Sequence, residues 1–149
     1  MSIVDTTAGQ ELAPLVKPPI TQEQLRRYAE ASGDYNPIHL DEQAARRVGL
    51  DGVIAHGMLS MAFLGQFVNL QIAAIPGARM VQLRVRFMNM VRLGDTLTCC
   101  GAVKARMANG DLSESVTLEC WAQNQKGDKV TAGEAVVVVP FVRRKEANV

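Results

Sequence analysis

The sequence predicts an α+β fold, a curved antiparallel sheet around one long helix. Helical signals are confined to residues 20–75, and strand signals follow Gly77, so the two types are segregated rather than alternating. An apolar stretch over residues 57–75, GMLSMAFLGQFVNLQIAAI, needs cover on many sides, which a strongly curved sheet supplies. Asn109-Gly110 is a strong hairpin turn, so the strands pair antiparallel.

The elements follow in order. Residues 1–10 are small and polar and are expected to be mobile, as is the polar tail over 143–149. Pro14, Pro18 and Pro19 keep the next segment extended. Thr21 opens a helix, with Gln24 completing a capping box and Ile20 stapled onto Leu25. Leu25, Tyr28 and Ala29 make its apolar face and Gly33 stops it. A second helix runs over 41–48, with Asp41 as N-cap and Gly49 beyond its end. The apolar stretch is the third, ended by Pro76-Gly77.

From there the period becomes two. Val81, Leu83, Val85 and Phe87 form the inner face of a half-buried strand. Leu97, Cys99, Val103 and Ala105 mark the next, with a bulge expected at Gly101. Val116, Leu118 and Cys120 share one face of the third strand, and residues 125–128 turn. Residues 130–139 form a fourth strand, nearly all apolar towards its end, which suits a strand central to the sheet or in an interface. The 149 residues suit a single domain.

Composition excludes several function classes. Net charge is +1 and aromatics are 5%, which leaves neither a basic excess for phosphates nor platforms for stacked bases. Three cysteines without CxxC or CxxH spacing read as reduced thiols inside a cell, not as staples or zinc ligands. Residues 1–10 lack an apolar run behind a basic start, so no secretory signal is expected. Gln66, Asn69 and Gln71 argue against a membrane span in the apolar helix. A cytoplasmic protein is the expectation.

The chemistry concentrates in SGDYNPIHL, residues 32–40. Pro37 pushes Asn36 towards extended geometry, and Asn36 can bond its own backbone. A tight loop of this kind folds Asp34 and His39 back towards one point, where carboxylate and imidazole share a water or a substrate proton. The same residues also read as a plain inter-helix turn, with Asp34 capping and His39 bonded to backbone. Ala55-His56-Gly57-Met58 lies where the apolar helix begins. The free amides and dipole at such a terminus favour developing negative charge, and an enolate-like thioester oxygen suits the Gly57 amide. Tight packing is the other reading of Gly57, and a capping or core role the favoured one for His56.

Together these residues resemble the MaoC-like family of (R)-specific enoyl-CoA hydratases and β-hydroxyacyl dehydratases. The motif is Tyr28, then Ser32-Gly33-Asp34-Tyr35-Asn36-Pro37-Ile38-His39, then Ala45. Residues 55–58 are a second match, and Arg86-Phe87 with Leu93-Gly94-Asp95 a weaker third. Residues 48–51 leading into 54–59 look like the stand-alone dehydratase subunits of mycobacterial type II fatty acid synthesis.

The resemblance implies a hot-dog fold and dimers, either of one chain or with a second hot-dog subunit. It implies Asp34 and His39 as the catalytic pair, the Gly57 amide as oxyanion site, and Asn36 and Pro37 as loop-shaping residues. Ala55, His56, Ser60, Arg84 and Arg86 are candidate substrate contacts. Ser60 sits one turn into the helix, earlier than the serine some hydratases carry. The reaction implied is hydration of 2-enoyl thioesters or the reverse dehydration of (R)-3-hydroxyacyl thioesters. Neither metal nor cofactor is expected, since coenzyme A or an acyl-carrier protein arrives with the substrate.

Arg84, Arg86, Lys104 and Arg106 would form a basic patch if their strands pair, and otherwise a solvated face. Met58, Met61, Phe63 or Phe67 would line an acyl tunnel. A hot-dog thioesterase is the rival enzyme, disfavoured because residues 57–75 hold no Asp or Glu. A non-catalytic acyl-binding partner subunit is the other alternative.

Overall fold

The computed structural model describes residues 2–141; the polar tail expected to be mobile lies outside them. Helix α1 is Gln22–Ser32, α2 is Glu42–Arg47 and α3 is Gly57–Ile72. Strands are β1 Leu15–Val16, β2 Arg79–Phe87, β3 Thr98–Asn109, β4 Ser113–Gln123 and β5 Lys129–Pro140. They make one sheet in the order β1-β3-β4-β5-β2, with every pair antiparallel. The sheet packs on α3, the arrangement of a hot-dog fold. None of the helices is long and apolar enough to cross a membrane, among the described residues.

Local signals set the helix ends. Thr21 Oγ1 accepts from the Gln24 amide, and Gly33, at φ 76°, closes α1 in the left-handed region that favours glycine. Ile20 and Leu25 are both buried, as the staple requires. The Asp41 side chain accepts from the amides of Gln43 and Ala44, capping α2. In α3 the residues Leu59, Phe63, Leu64, Phe67, Val68 and Ile72 form the buried stripe. Their spacing of three and four places them on one face. Cover is less complete than expected: Met58 and Leu70 on the other side are exposed.

Several expectations are corrected. Residues 2–9 do not stand apart from the fold. Ile3 is fully buried, Thr6 is buried, and the Arg106 guanidinium donates to the carbonyls of both. One apolar side chain and two backbone acceptors dock this segment, a signal that its small-residue composition hides. In β2 a register shift between Met80 and Gln82 turns Val81 outward. Met80, Leu83 and Val85 are the partly buried set, while Val81 and Phe87 are about half exposed.

The irregularity in β3 falls between Val103 and Ala105, not at Gly101, and it carries Ala105 to the exposed side. Gly101 instead makes room: a Cβ there would lie 2.7 Å from the Glu119 carbonyl oxygen and 2.9 Å from the Phe67 ring. The proline-rich segment, expected only to be extended, also joins the sheet: the two residues of β1 pair with Cys99 and Thr98. β5 lies between β4 and β2, away from the sheet edges. All three cysteines are free thiols.

Candidate active site

The loop after α1 is a relay of short side-chain-to-backbone bonds. Ser32 Oγ accepts from the Asp34 amide, Asp34 Oδ1 from the Asn36 amide, and Asn36 Oδ1 from the Ile38 amide. Each polar side chain bonds the backbone two residues on, which is why this polar run turns rather than extends. Pro37 opens a 3-10 turn over Pro37–His39, where its missing N–H costs nothing. Asn36 and Pro37 therefore stand where loop-shaping residues are expected.

The turn brings the expected pair together, with His39 Nε2 3.8 Å from Asp34 Oδ2. That is too long for a direct hydrogen bond and suits two groups converging on one atom. The His39 side chain is 9% exposed and that of Asp34 51%. His39 Nδ1 lies 2.7 Å from the Ile54 carbonyl oxygen. A carbonyl only accepts, so Nδ1 carries the proton and Nε2 presents its lone pair.

A cavity of about 340 Å³ lies against His39. His39, Ala55, Gly57, Ser60 and Thr131 supply its polar and backbone groups, and Ile54, Phe87, Met88, Met90 and Val91 its apolar wall. Asp34 is outside the lining and meets the site through His39. Gly57 is the first residue of α3, and a first helical amide has no acceptor within its own helix. A side chain at 57 would press on the Phe87 ring, at 3.2 Å from Cδ1.

Ser60 Oγ donates to the Gly57 carbonyl at 2.7 Å and lies 2.5 Å from Thr131 Oγ1. Thr131 was missed in the sequence. Its hydroxyl, near the start of β5, is buried at 1% exposure.

His56 is a core histidine that reaches both members of the pair. It is 2% exposed, and its Nε2 lies 3.0 Å from the Asp34 carbonyl oxygen. Its ring stacks on His39 with centroids 3.9 Å apart and 27° between planes, and Tyr28 lies tilted against it at 4.7 Å. Burial pushes the His56 pKa down; the bond to the Asp34 carbonyl opposes this, and His39 adds to it. Burial, then the Asp34 charge, pushes the Tyr28 phenol up. Asp34, His39 and His56 also have ligand atoms within 4.8 Å of one another, the spacing of a metal-binding cluster.

The remaining candidates are not brought to the cavity. Arg84 and Arg86 sit on the exposed face of β2 and do not line it. The four-residue basic patch does not form, because β4 and β5 separate β2 from β3; Arg86 and Lys104 share one depression, but with Glu119 and Glu134 between the basic groups. Lys104 pairs instead with Glu134, and Arg106 with Glu114. Met58 is exposed, Phe67 is fully buried in the core, and neither Met61 nor Phe63 lines the cavity, so the apolar wall comes from residues 87–91 instead.

The family model described as MaoC like domain matches residues 4–125. The chain belongs to the MaoC-like family. Among relatives, the (R)-specific enoyl-CoA hydratase of Rhodospirillum rubrum is 33% identical over 121 residues, 81% of each chain. The 3-hydroxyacyl-thioester dehydratase X of Mycobacterium tuberculosis is 43% identical over 77 residues, covering 52% of this chain and 26% of that protein. The unliganded R-hydratase PhaJ1 of Pseudomonas aeruginosa superposes with a TM-score of 0.76 at 31% identity, over 92% of this chain and 84% of that one. In this MaoC-like chain Asp34, His39, His56, Gly57 and Ser60 all fall inside the matched region, and Thr131 lies beyond it.

Proposed function

We propose that the chain is a hydro-lyase that interconverts trans-2-enoyl and (R)-3-hydroxyacyl thioesters at the cavity beside Asp34 and His39. The observation that carries this reading is the 2.7 Å contact between His39 Nδ1 and the Ile54 carbonyl oxygen, which assigns the proton to Nδ1 and leaves Nε2 facing Asp34. In hydration, Nε2 takes one proton of a water while the Asp34 carboxylate accepts a hydrogen bond from the other. The water oxygen bonds to the β-carbon, and the electron pair of the double bond moves towards the thioester oxygen, which meets the Gly57 amide. The imidazolium then returns its proton to the α-carbon. Dehydration is the same sequence reversed.

The chemistry uses side chains and backbone alone, with coenzyme A or an acyl-carrier protein entering as the substrate's carrier. The thioesterase alternative lacks its acid, since residues 57–75 contain no Asp or Glu. In this reading a second hot-dog subunit, a copy of this chain or a homologous one, would pair along β2. That strand is last in the sheet order, and Val81, Phe87, Met88 and Met90 on or just beyond it are exposed.

The test incubates the purified protein with a short 2-enoyl-CoA and follows loss of the conjugated enoyl absorbance. Hydration with the (R)-3-hydroxyacyl product supports the reading. Release of free thiol without hydration points to the thioesterase. Inertness towards both the CoA and the carrier-protein thioester points to the partner-subunit role.

A further inference from the structure

Two features of His56 are left over from the proposed reaction. It is buried and outside the cavity lining, yet it contacts both Asp34 and His39. Its Nδ1 is buried without a hydrogen-bond partner among the described residues. An unsatisfied buried nitrogen costs stability, so a purely structural role would be served better by an apolar ring. The nitrogen that is satisfied, Nε2, faces a carbonyl oxygen and therefore carries the proton. The lone pair is left on Nδ1.

We propose that His56 is the positioning residue of the site: its Nε2–H ties down the backbone of Asp34 while its ring face seats the ring of His39, so that one side chain sets the separation of the two. This rests on the reading of Asp34 and His39 as the acid–base pair. His39 is anchored at Nδ1 by Ile54 but could still rotate about that bond; the stacked ring removes this freedom. Asp34 is anchored at Oδ1 by the Asn36 amide, and the bond from His56 fixes the backbone from which that side chain projects.

The titratable groups facing His56 are Asp34 on the loop, His39 on the 3-10 turn and Tyr28 on α1. With its one proton committed to a carbonyl and no acceptor for a second, His56 stays neutral. It therefore does not oppose the positive charge that His39 gains in mid-reaction.

The chain has two histidines, so ring nitrogen NMR of the untagged protein resolves both without ambiguity. His56 is expected to hold one tautomer at neutral pH, protonated at Nε2 and bare at Nδ1, and to take up a second proton only below the usual imidazole value. His39 is expected to hold its Nδ1 proton. His56→Phe keeps a flat ring and loses the donor; His56→Gln keeps a donor and loses the ring. Displacing a reacting group by about 1 Å costs on the order of 100-fold, so each variant is expected to lower kcat by about 10- to 100-fold. KM should stay within about twofold, because His56 itself does not line the cavity. The His39 ring nitrogen signals should move in both variants.

An ordinary imidazole titration of His56, or variants that leave kcat and the His39 ring signals unchanged, would overturn the proposal. A larger rise in KM than fall in kcat would also overturn it. If His56→Phe fails to fold, the wild-type spectra and His56→Gln decide alone. If the wild type proves inactive on thioesters, the functional reading fails, while the tautomer and the His39 shift still test the positioning role.

Discussion

The Ile54 carbonyl and the Asp34 carboxylate lie on opposite nitrogens of one imidazole, and the 2.7 Å contact from Ile54 O to His39 Nδ1 leaves Nε2 as the nitrogen that faces Asp34. Ile54 comes from the segment before α3, in an isolated bridge to Arg92, so the tautomer is set by a piece of chain remote from the motif. Positioned acid–base groups contribute about 100- to 10,000-fold. Asp34→Asn and His39→Gln are each expected to lower kcat/KM by about that range, with circular dichroism unchanged. Steady-state hydration of a short 2-enoyl-CoA measures it, and full activity in either variant would reduce SGDYNPIHL to a turn.

Ser60 and Thr131 share one buried hydrogen bond across the cavity floor. Ser60 spends its own hydrogen on the Gly57 carbonyl, so Thr131 is the donor between them. Ser60→Ala leaves that hydroxyl without its acceptor, a cost of about 1–3 kcal/mol. Removing both groups with Ser60→Ala and Thr131→Val leaves nothing unsatisfied. The double variant is expected to be less destabilised than the sum of the singles, which a double-mutant cycle in urea measures.

Two glycines in contact with the β2 region should respond in opposite directions to alanine. At Gly133 a Cβ would lie 1.8 Å from the Arg84 carbonyl oxygen, a backbone atom of the paired strand that cannot yield without breaking the ladder. Gly133→Ala is expected to cost about 3 kcal/mol or more, beyond ordinary overpacking. At Gly65, inside α3, a Cβ would meet Leu83 Cδ2 at 3.8 Å and Met80 Cε at 3.9 Å, ordinary contacts. Gly65→Ala is expected to stabilise by about 0.5–1 kcal/mol through helix entropy. Thermal melts of the two variants should move apart; equal shifts would contradict the close approach at Gly133.

The sequence exposes what local chemistry decides and hides what register decides. Thr21, Gly33 and Asp41 announce helix ends because each forms its cap within three or four residues. The Asp34-to-His39 turn is legible for the same reason, since each bond spans two residues. The faces of Val81 and Ala105 are not, because a one-residue shift inverts every later side chain and leaves no compositional mark. Thr131 joins the site only through the pairing of β5 with β2, which sets it opposite Phe87. The basic patch failed on topology: consecutive strands β2 and β3 lie apart, and nothing in either strand states that.

Acid should weaken the fold through His56. Its pKa is lowered in the native state by burial. As pH falls through the unfolded value, about 6.5, the unfolded chain binds a proton that the native state refuses. Stability is therefore complete above that value and is lost as pH falls below it towards the native value. The melting temperature of the wild type is expected to rise from about pH 5 to pH 7. His56→Phe should flatten that rise, and an unchanged slope would mean His56 titrates alike in both states.

Alkali should act through the thiols, with the opposite sign. Burial pushes Cys99 up to about 12 and Cys120 up to about 11, while half-buried Cys100 is raised less decisively. Above the unfolded value, about 8.5, the unfolded chain sheds protons that the native state keeps. The stability this contributes is present below that value and disappears as pH climbs through 11 and 12. The thiolate is the reactive species, so native protein near pH 8 is expected to resist iodoacetamide at Cys99 and Cys120, with Cys100 reacting first. All three should react at once after unfolding in guanidinium. Mass spectrometry of the alkylated protein reads the order, and early modification of Cys99 would show that β3 opens from the sheet without global unfolding, since Cys99 pairs with both Leu15 and Ala122.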